Sequence, residues 1–207
     1  MGHEETDPPE AIDHGEEDDF SLNTDRLKLR RPCRTDANAL AELANDFDIA
    51  SKLTNMPYPY GLSDARFFLD RVQSKRKPEM VLFITERSHG RLMGCCSLRA
   101  RPVEGEYEIG YWLGRAFWGR GFATEAVHAL VDYAFTATDL ERLFVSCRVT
   151  NSSSRRVIHK SGFQPDGTDM IASLAMGGPV PVEVYALDRA TWRGLREWRE
   201  ERDHACL

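Results

Sequence analysis

The feature that most constrains the fold is a strand that runs into closely spaced glycines and then into an amphipathic helix. Residues 112–126 read Trp-Leu-Gly-Arg-Ala-Phe-Trp-Gly-Arg-Gly-Phe-Ala-Thr-Glu-Ala. The first amides of such a helix have no partner inside it, and they point outward at the end that the helix dipole makes positive. Glycines let a phosphate approach the backbone. The segment therefore predicts an anion site at a helix N-terminus, with a tight turn that binds nothing as the alternative.

Length and composition favour one globular domain. The chain has 207 residues, of which 42% are hydrophobic, which is typical of a single folded unit. The first nineteen residues carry nine carboxylates and neither Lys nor Arg. Because like charges repel and large apolar side chains are scarce there, we predict a disordered acidic tail at 1–19. The folded domain is then expected at 20–207.

Composition also argues against several classes of protein. No apolar run approaches the roughly 18 residues that span a bilayer, and the N-terminus lacks the order of a secretory signal. We therefore expect a cytoplasmic protein without membrane contact, and we predict no direct nucleic-acid binding. The five cysteines are scattered without the spacing of a zinc site, which predicts reduced thiols and no metal.

Hydrophobic periodicity predicts a mixed α+β fold. Alternating or apolar runs indicate strands over the ranges 26–31, 80–85, 92–99, 107–113, 143–149, 168–175 and 181–187. Helical spacing predicts a helix capped by Thr35 or Asp36 that reaches Phe47, another capped by Ser63, and a short one over 151–161. The consecutive antiparallel strands enclose one β-α-β unit, which contains the glycine-rich segment.

Two regions outside these elements also carry structural expectations. Residues 56–61 contain Pro57 and Pro59, too much proline for regular structure, so we expect an ordered loop. Trp192 and Trp198 lie near the C-terminus, where we predict that they pack a last helix onto the domain.

Two phosphate-binding motifs can be tested against the glycine-rich segment. A P-loop requires Gly-Lys-Ser/Thr, which the segment lacks. A dinucleotide-binding fingerprint requires a third glycine where Thr124 stands, and an acid at the end of the next strand, which instead ends in Val149-Thr150-Asn151. The first motif is excluded, and a dinucleotide binder ranks as a distant third reading.

The segment resembles the pyrophosphate-binding motif of the GNAT N-acetyltransferase superfamily, which has the form Gln/Arg-x-x-Gly-x-Gly/Ala. Here Trp118 takes the first place of the motif, which departs from the general pattern. Further matches in the same order resemble the RimJ/RimL-like branch: they are residues 57–60, 108–113, 118–126, 151–154 and 160–163. The resemblance covers about residues 26–188.

The resemblance implies a fold and a cofactor. The fold would be α+β, a mixed and mostly antiparallel twisted sheet of six to seven strands flanked by helices, with a central β-α-β unit that binds acetyl-CoA. Pantetheine would fill a gap between two splayed strands, where an amide near Trp112 or Leu113 would face the thioester carbonyl. The implied cofactor-binding residues are Trp112, Leu113, Trp118, Gly119, Arg120, Gly121, Phe122, Ala123, Thr124 and Asn151.

The resemblance also implies one catalytic residue, and the chemistry of amine attack suggests a second. Ser154 would donate a proton or hydrogen bond to the departing thiolate, while Asn151 would orient the cofactor. An ordinary helix cap at Asn151 and a polar first turn are the alternatives. The acceptor amine attacks only when neutral, and Glu108, beside the cofactor, is our candidate base. An exposed strand carboxylate is the alternative for Glu108.

The acceptor side gives less information. Tyr58, Tyr60 and Tyr111 are our candidates for the acceptor pocket, with ordinary packing as the alternative. We expect an acetyl-CoA-dependent N-acetyltransferase that acts on a primary amine, either a protein N-terminus or a small molecule, by direct attack in a ternary complex. A non-catalytic acyl-CoA-binding or sensory module on the same fold is the competing hypothesis. The oligomeric state stays open, a homodimer included.

Overall fold

The alternating segments form one sheet in a computed structural model that describes residues 20–74, 79–103 and 105–205. Eight strands form the sheet, in the spatial order β1-β2-β3-β4-β5-β6-β8-β7. They are β1 Ser21–Asn23, β2 Leu27–Arg30, β3 Glu79–Glu86, β4 Leu92–Ala100, β5 Tyr107–Leu113, β6 Arg142–Arg148, β7 Gln164–Ser173 and β8 Gly178–Asp188. All neighbours pair antiparallel except β5 and β6, which run parallel. The tail predicted at 1–19 lies outside the described residues.

Six α-helices flank the sheet in the described residues: α1 Ala37–Ala44, α2 Phe47–Ala50, α3 Leu62–Gln73, α4 Phe122–Ala137, α5 Ser152–Lys160 and α6 Arg189–Ala205. The parallel pair is the predicted β-α-β unit, since α4 connects β5 to β6. None of the described helices is both long and apolar enough to cross a membrane.

Three details differ from the sequence prediction. The sheet has eight strands rather than six to seven, because the three-residue edge strand β1 is too short to show an alternating pattern. The predicted helix to Phe47 is two helices, since the side chain of Asp46 accepts a hydrogen bond from the Asp48 amide at 2.7 Å and caps a new one. Helix α3 begins after Gly61 rather than at Ser63.

Two apolar clusters cover the two faces of the sheet. One cluster lies under α4 and includes Leu113, Val145 and Cys147; we call this side the α4 face. The other cluster lies under α1 and α3 and includes Val81 and Cys95; we call this side the α1–α3 face. Because side chains alternate along a strand, residue parity tells which face each one reaches.

The last helix is anchored by one of the two predicted tryptophans. Trp192 is 5% exposed, stacks on Phe135 with ring centroids 5.2 Å apart, and donates from Nε1 to Asp132 at 2.7 Å. Trp198 is 54% exposed. The buried anchor of α6 is therefore Trp192.

A polar clamp ties the first turn of α4 to the loop between β1 and β2. Glu125 accepts hydrogen bonds from the Thr24 hydroxyl at 2.6 Å and from the Arg26 amide at 3.0 Å, and it pairs with the Arg26 guanidinium at 2.6 Å. Burial alone would raise the pKa of Glu125, but the bonds from Thr24 and Arg26 outweigh it and hold the pKa below its ordinary value. The clamp fixes where the helix begins.

Replacing Glu125 by glutamine should lower the free energy of unfolding at pH 7 by about 1–3 kcal/mol, since charged hydrogen bonds are lost. A carboxylate with a lowered pKa stabilises the fold above its ordinary pKa near 4.5, and that stability is lost as the pH falls through the folded value. Urea denaturation of wild type and Glu125→Gln should therefore differ most above pH 5 and converge as the pH falls through the lowered folded pKa of Glu125. The control Glu141→Gln, at an 83% exposed side chain, should change stability by less than about 0.5 kcal/mol. A constant gap across pH would contradict the clamp.

Candidate active site

The amides at the start of α4 are bare. Gly119 and Gly121 adopt the left-handed conformation, with φ of 73° and 80°. No side chain caps the helix, and the backbone bonds around it run from Trp118 to Arg115 and from Glu125 to Gly121. Within the described chain, the amides of residues 119–124 have no hydrogen-bond acceptor. This arrangement is the one that an anion at a helix N-terminus requires.

Trp118 closes the turn that leads to these amides. Its indole Nε1 donates to the carbonyl of Leu113 at 2.7 Å, so the end of β5 is tied to the glycine-rich turn. The Lys52 ammonium lies 4.7 Å from the centre of the indole ring, a favourable cation–π contact. The tryptophan that departs from the family's motif therefore serves as a structural brace in this turn.

The space and charge around the turn suit a diphosphate. A Cβ added at Gly119 would meet nothing within 4 Å, so the backbone there is open. The guanidinium groups of Arg26 and Arg120 lie 4.5 and 4.9 Å from the centre of the Phe122 ring. Two cations thus flank the positive end of the α4 dipole. Arg26 is paired with Glu125, so the added attraction for an anion comes chiefly from Arg120.

Strands β5 and β6 pair over only three residues each. Their parallel register runs only from Tyr107 opposite Leu143 to Ile109 opposite Val145. Strand β6 nevertheless continues to pair with β8 as far as Arg148, so the strand itself does not end there. Within the described chain, the edge of β5 from Gly110 to Leu113 has no strand partner on this side. The two strands therefore part here, and we call the space between them the opening.

The ladder with β4 decides which amides face the opening. The Gly114 amide donates to Met93 of β4 at 2.8 Å. Because hydrogen-bonding direction alternates along an antiparallel strand, the Trp112 amide also points to β4, while those of Tyr111 and Leu113 point into the opening. Of the two amides predicted to face a thioester, Leu113 has the required direction and Trp112 does not.

Ser154 and Tyr111 meet on the α4 face of the opening. Their hydroxyl oxygens are 2.7 Å apart, and the Asn151 side chain caps the helix by accepting from the Ser154 amide at 3.2 Å. Burial raises the pKa of Tyr111, so the phenol stays protonated at neutral pH. Burial also raises the pKa of the neighbouring Cys147 thiol to about 11. The cluster is a neutral hydrogen-bonding group.

Glu108 lies on the opposite face of the sheet. Its Oε1 accepts from the Ser146 hydroxyl at 2.7 Å, and its Oε2 pairs with Nη2 of Arg99 at 3.2 Å. The side chain is 23% exposed. Each carboxylate oxygen retains a free lone pair, since an ionised carboxylate accepts about four hydrogen bonds. Glu108 and Ser154 therefore approach the opening from its two faces, one as a carboxyl group that contacts Arg99 and the other as a hydroxyl.

The three candidate tyrosines lie in three different environments and do not line a single pocket surface. Tyr60 is 7% exposed and packs in the cluster of the α1–α3 face, where burial raises its pKa. Tyr58 is 49% exposed and rests edge-on against Phe47 at 5.3 Å. Tyr111 lies on the α4 face with Ser154. Tyr60 is therefore buried in the packing of the α1–α3 face. Tyr111 lies on the α4 face, the side of the sheet that carries the helix with the bare amides.

Sequence reasoning did not single out three polar residues around Glu108. Arg99 and Ser146 hold its carboxylate, and Arg148 follows two residues after Ser146 on the same face. The signal was present in the alternation of β6, where polar Ser146 and Arg148 interleave with buried Val145 and Cys147. Polar residues that alternate with buried apolar ones indicate that one face of the strand is not covered by the apolar core.

The sequence model described as an acetyltransferase (GNAT) domain matches residues 26–164. The chain belongs to the GNAT family. As a GNAT protein, it is an acetyl-CoA-dependent acyltransferase, and the predicted GNAT fold is confirmed with one strand more than expected.

This GNAT chain is similar to several individual proteins. It is 29% identical over 177 residues to p20, an uncharacterised N-acetyltransferase of Bacillus licheniformis, covering 84% of this chain and 99% of that protein. It is 35% identical over 96 residues to the ribosomal-protein-serine acetyltransferase of Escherichia coli, covering 46% and 54%. The solved RimL ribosomal L7/L12 alpha-N-protein acetyltransferase with coenzyme A shares 22% identity and a TM-score of 0.71 over 82% of this chain and 98% of that one.

The described residues of this GNAT protein fit acetyl-CoA. The bare amides of 119–124 and the open space at Gly119 suit the diphosphate, while the inward amides of Tyr111 and Leu113 suit a chain laid along the edge of β5. Arg155, another cation near this site, is occupied by Glu183 at 2.7 Å. The fit therefore depends on backbone amides more than on arginine side chains.

Proposed function

We propose that the protein acetylates a primary amine, a protein or peptide N-terminus above all, by direct attack in a ternary complex. The observation that carries the proposal is the opening between β5 and β6, with a carboxylate on one face and a neutral hydroxyl pair on the other. The acetyl donor and the amine acceptor can therefore reach the opening from different faces of the sheet. The relatives named as ribosomal-protein acetyltransferases support a protein amine as the acceptor.

The backbone holds the donor in this proposal. Amides of Gly119 to Thr124 bind the diphosphate, and the Leu113 amide donates toward the carbonyl oxygen, where negative charge develops. Acetyl-CoA, when bound, supplies the acetyl group as a thioester. These backbone donors are fixed by the turn and the β4–β5 ladder, so they need no rearrangement. Fixed donors in a site closed to water are worth more than mobile ones.

Glu108 acts on the acceptor in this proposal. An α-amine with a pKa near 8 is roughly a tenth neutral at pH 7, whereas a lysine near 10.4 is neutral about once in a few thousand molecules. Glu108 accepts the proton that the amine releases, directly or through water, on a lone pair left by Ser146 and Arg99. An N-terminal amine makes the smaller demand on this base, which favours it as the acceptor.

Ser154 acts on the leaving group. When the Tyr111 phenol donates to the Ser154 oxygen, the serine hydrogen is free to point at the departing thiolate. The raised pKa of Tyr111 keeps that phenol a donor through neutral pH. Tyr111 is thus a positioning residue for Ser154.

Replacing Ser154 by alanine should lower kcat about 10- to 100-fold, because one hydrogen bond to a developing charge is lost. The KM for acetyl-CoA should stay within about twofold, since the backbone amides hold the diphosphate. Steady-state thiol release measures both constants. The control Ser153→Ala removes an exposed hydroxyl that bonds only Arg156 among the described residues, and it should leave both constants unchanged. Wild-type turnover in Ser154→Ala would remove Ser154 from the mechanism.

The proposed function itself is tested by thiol release from acetyl-CoA with a panel of N-terminal peptides, lysine peptides and small amines. We expect release with N-terminal peptides and an acetylated α-amine in the mass spectrum. Tight binding of acetyl-CoA without thiol release on any acceptor would instead support the non-catalytic module.

A further inference from the structure

Arg148 is a half-buried cation without a counter-ion among residues 20–74, 79–103 and 105–205. Its Nη1 donates to the carbonyl of Ser51 at 2.6 Å, and its Nε is buried without a hydrogen-bond partner. Within the described chain, no carboxylate pairs with it. A charge that is removed from water normally has both an ionic partner and a full set of hydrogen bonds. In the described chain, Arg148 therefore lacks both an ionic partner and a hydrogen-bond acceptor for its Nε.

Three other arginines near Glu108 or on β6 have carboxylate partners, which Arg148 lacks among the described residues. Arg99 pairs with Glu108 at 3.2 Å, and Arg101 pairs with Glu106 at 2.8 Å. Arg142, on the same strand and face as Arg148, pairs with two aspartates. Of the four arginines compared, Arg148 is the one without a carboxylate partner in the described chain.

The position of Arg148 relates it to the acceptor amine. Ser146 bonds Glu108, and Arg148 follows two residues later with the same parity, which places the two Cα atoms of β6 about 7 Å apart. Between Glu108 and Trp112, β5 carries Gly110, which has no side chain, and the Ser97 hydroxyl lies 3.1 Å from where its Cβ would stand. A ligand whose amine reaches Glu108 would thus have its neighbouring atoms beside Arg148.

We propose that Arg148 binds a carboxylate carried by the acceptor, so that the preferred substrate is a primary amine with an acidic group a few bonds from its nitrogen. This inference rests on the proposed function. The carboxylate would complete the hydrogen bonds of the guanidinium, through Nε and Nη2, in the two-pronged geometry that arginine favours. Either an acidic side chain near a peptide N-terminus or the carboxylate of a free amino acid supplies this chemistry.

Matched acceptor pairs test the proposal. The peptides Ala-Asp-Ala-Ala-amide and Ala-Asn-Ala-Ala-amide form one pair, and free alanine and alaninamide form the other. We expect the acidic member of at least one pair to have a KM about 10- to 100-fold lower with the wild-type enzyme, as for one charged hydrogen-bonded pair. Preference in the first pair identifies a peptide acceptor, and preference in the second identifies a free amino acid.

Variants then connect the preference to the residue. Arg148→Gln should remove the preference by raising the KM of the acidic member alone, while kcat for the neutral member and the KM for acetyl-CoA stay near wild type. Arg148→Lys keeps the charge and should retain part of the preference. The control Arg142→Gln removes an equal charge from the same face of β6, where aspartates balance it, and should leave the preference intact.

A binding measurement adds a readout that does not depend on turnover. The N-acetylated aspartyl peptide should bind wild type at least tenfold tighter than its asparaginyl counterpart in calorimetry, and Arg148→Gln should bind both alike. Equal binding and equal KM for both members of each pair would overturn this inference while leaving acetyl transfer intact. Absence of thiol release with every acceptor would overturn the proposed function instead.

Discussion

Replacing Gly121 by glutamate should raise the dissociation constant for acetyl-CoA by at least about 100-fold. Two effects combine, since φ of 80° strains any residue with a Cβ and a carboxylate at the helix N-terminus repels the diphosphate. A Cβ at this position would also lie 3.4 Å from Nη2 of Arg26, which would draw the new carboxylate toward the anion site. Calorimetric titration with acetyl-CoA measures the change.

A matched variant separates strain from charge. Gly121→Ala introduces the Cβ without the carboxylate, so it should weaken acetyl-CoA about tenfold or less. Circular dichroism of both variants should stay near wild type, because the turn lies on the surface and Gly121 is exposed. An affinity for acetyl-CoA that is unchanged in Gly121→Glu would mean that these amides do not hold the diphosphate.

Replacing Glu108 by glutamine should lower kcat about 100-fold or more at neutral pH, while acetyl-CoA affinity stays near wild type. Loss of a general base typically costs roughly 10²- to 10⁴-fold. The remaining rate should rise with pH as the acceptor amine loses its proton in solution, and it should rise further for lysine peptides than for N-terminal ones. Thiol release from pH 6 to 10 with both kinds of peptide measures this.

Glu106→Gln is the matched control for this substitution. Glu106 lies two residues before Glu108 with the same parity, but its partner is Arg101 at 2.8 Å. Its replacement should leave kcat within about twofold. A Glu108→Gln variant with wild-type kcat and pH profile would assign Glu108 a structural role, as the holder of Arg99 and Ser146.

The fold was largely predictable from local patterns. The strand predicted over 107–113 is β5, and the glycine-rich segment begins a helix at Phe122, one residue after the second left-handed glycine. These elements have long periodic patterns or residues with a special conformation, and such signals survive in a single sequence. The start of α2 depended on one side-chain cap at Asp46, a signal that the apolar spacing to Phe47 concealed.

The site was less predictable, because it depends on pairings between distant segments. The motifs indicated the amides of 119–124 and the pair Asn151 and Ser154, because each of these sets lies within one short segment of the sequence. The direction of the Leu113 amide depends on the register with β4, which no local pattern encodes. The importance of Arg148 likewise depends on the carboxylates that its neighbours have already taken. Tyr60 shows the reverse case, in which a suggestive aromatic is buried in the apolar cluster of the α1–α3 face.

The backbone amides of residues 119–124 can be observed directly by two-dimensional ¹H–¹⁵N NMR during a titration with coenzyme A. If these amides bind the diphosphate, those of Gly119 and Gly121 should show some of the largest shift changes in the spectrum, and Gly121→Glu should abolish the changes. Saturable binding of coenzyme A that leaves the resonances of 119–124 unmoved would contradict the account.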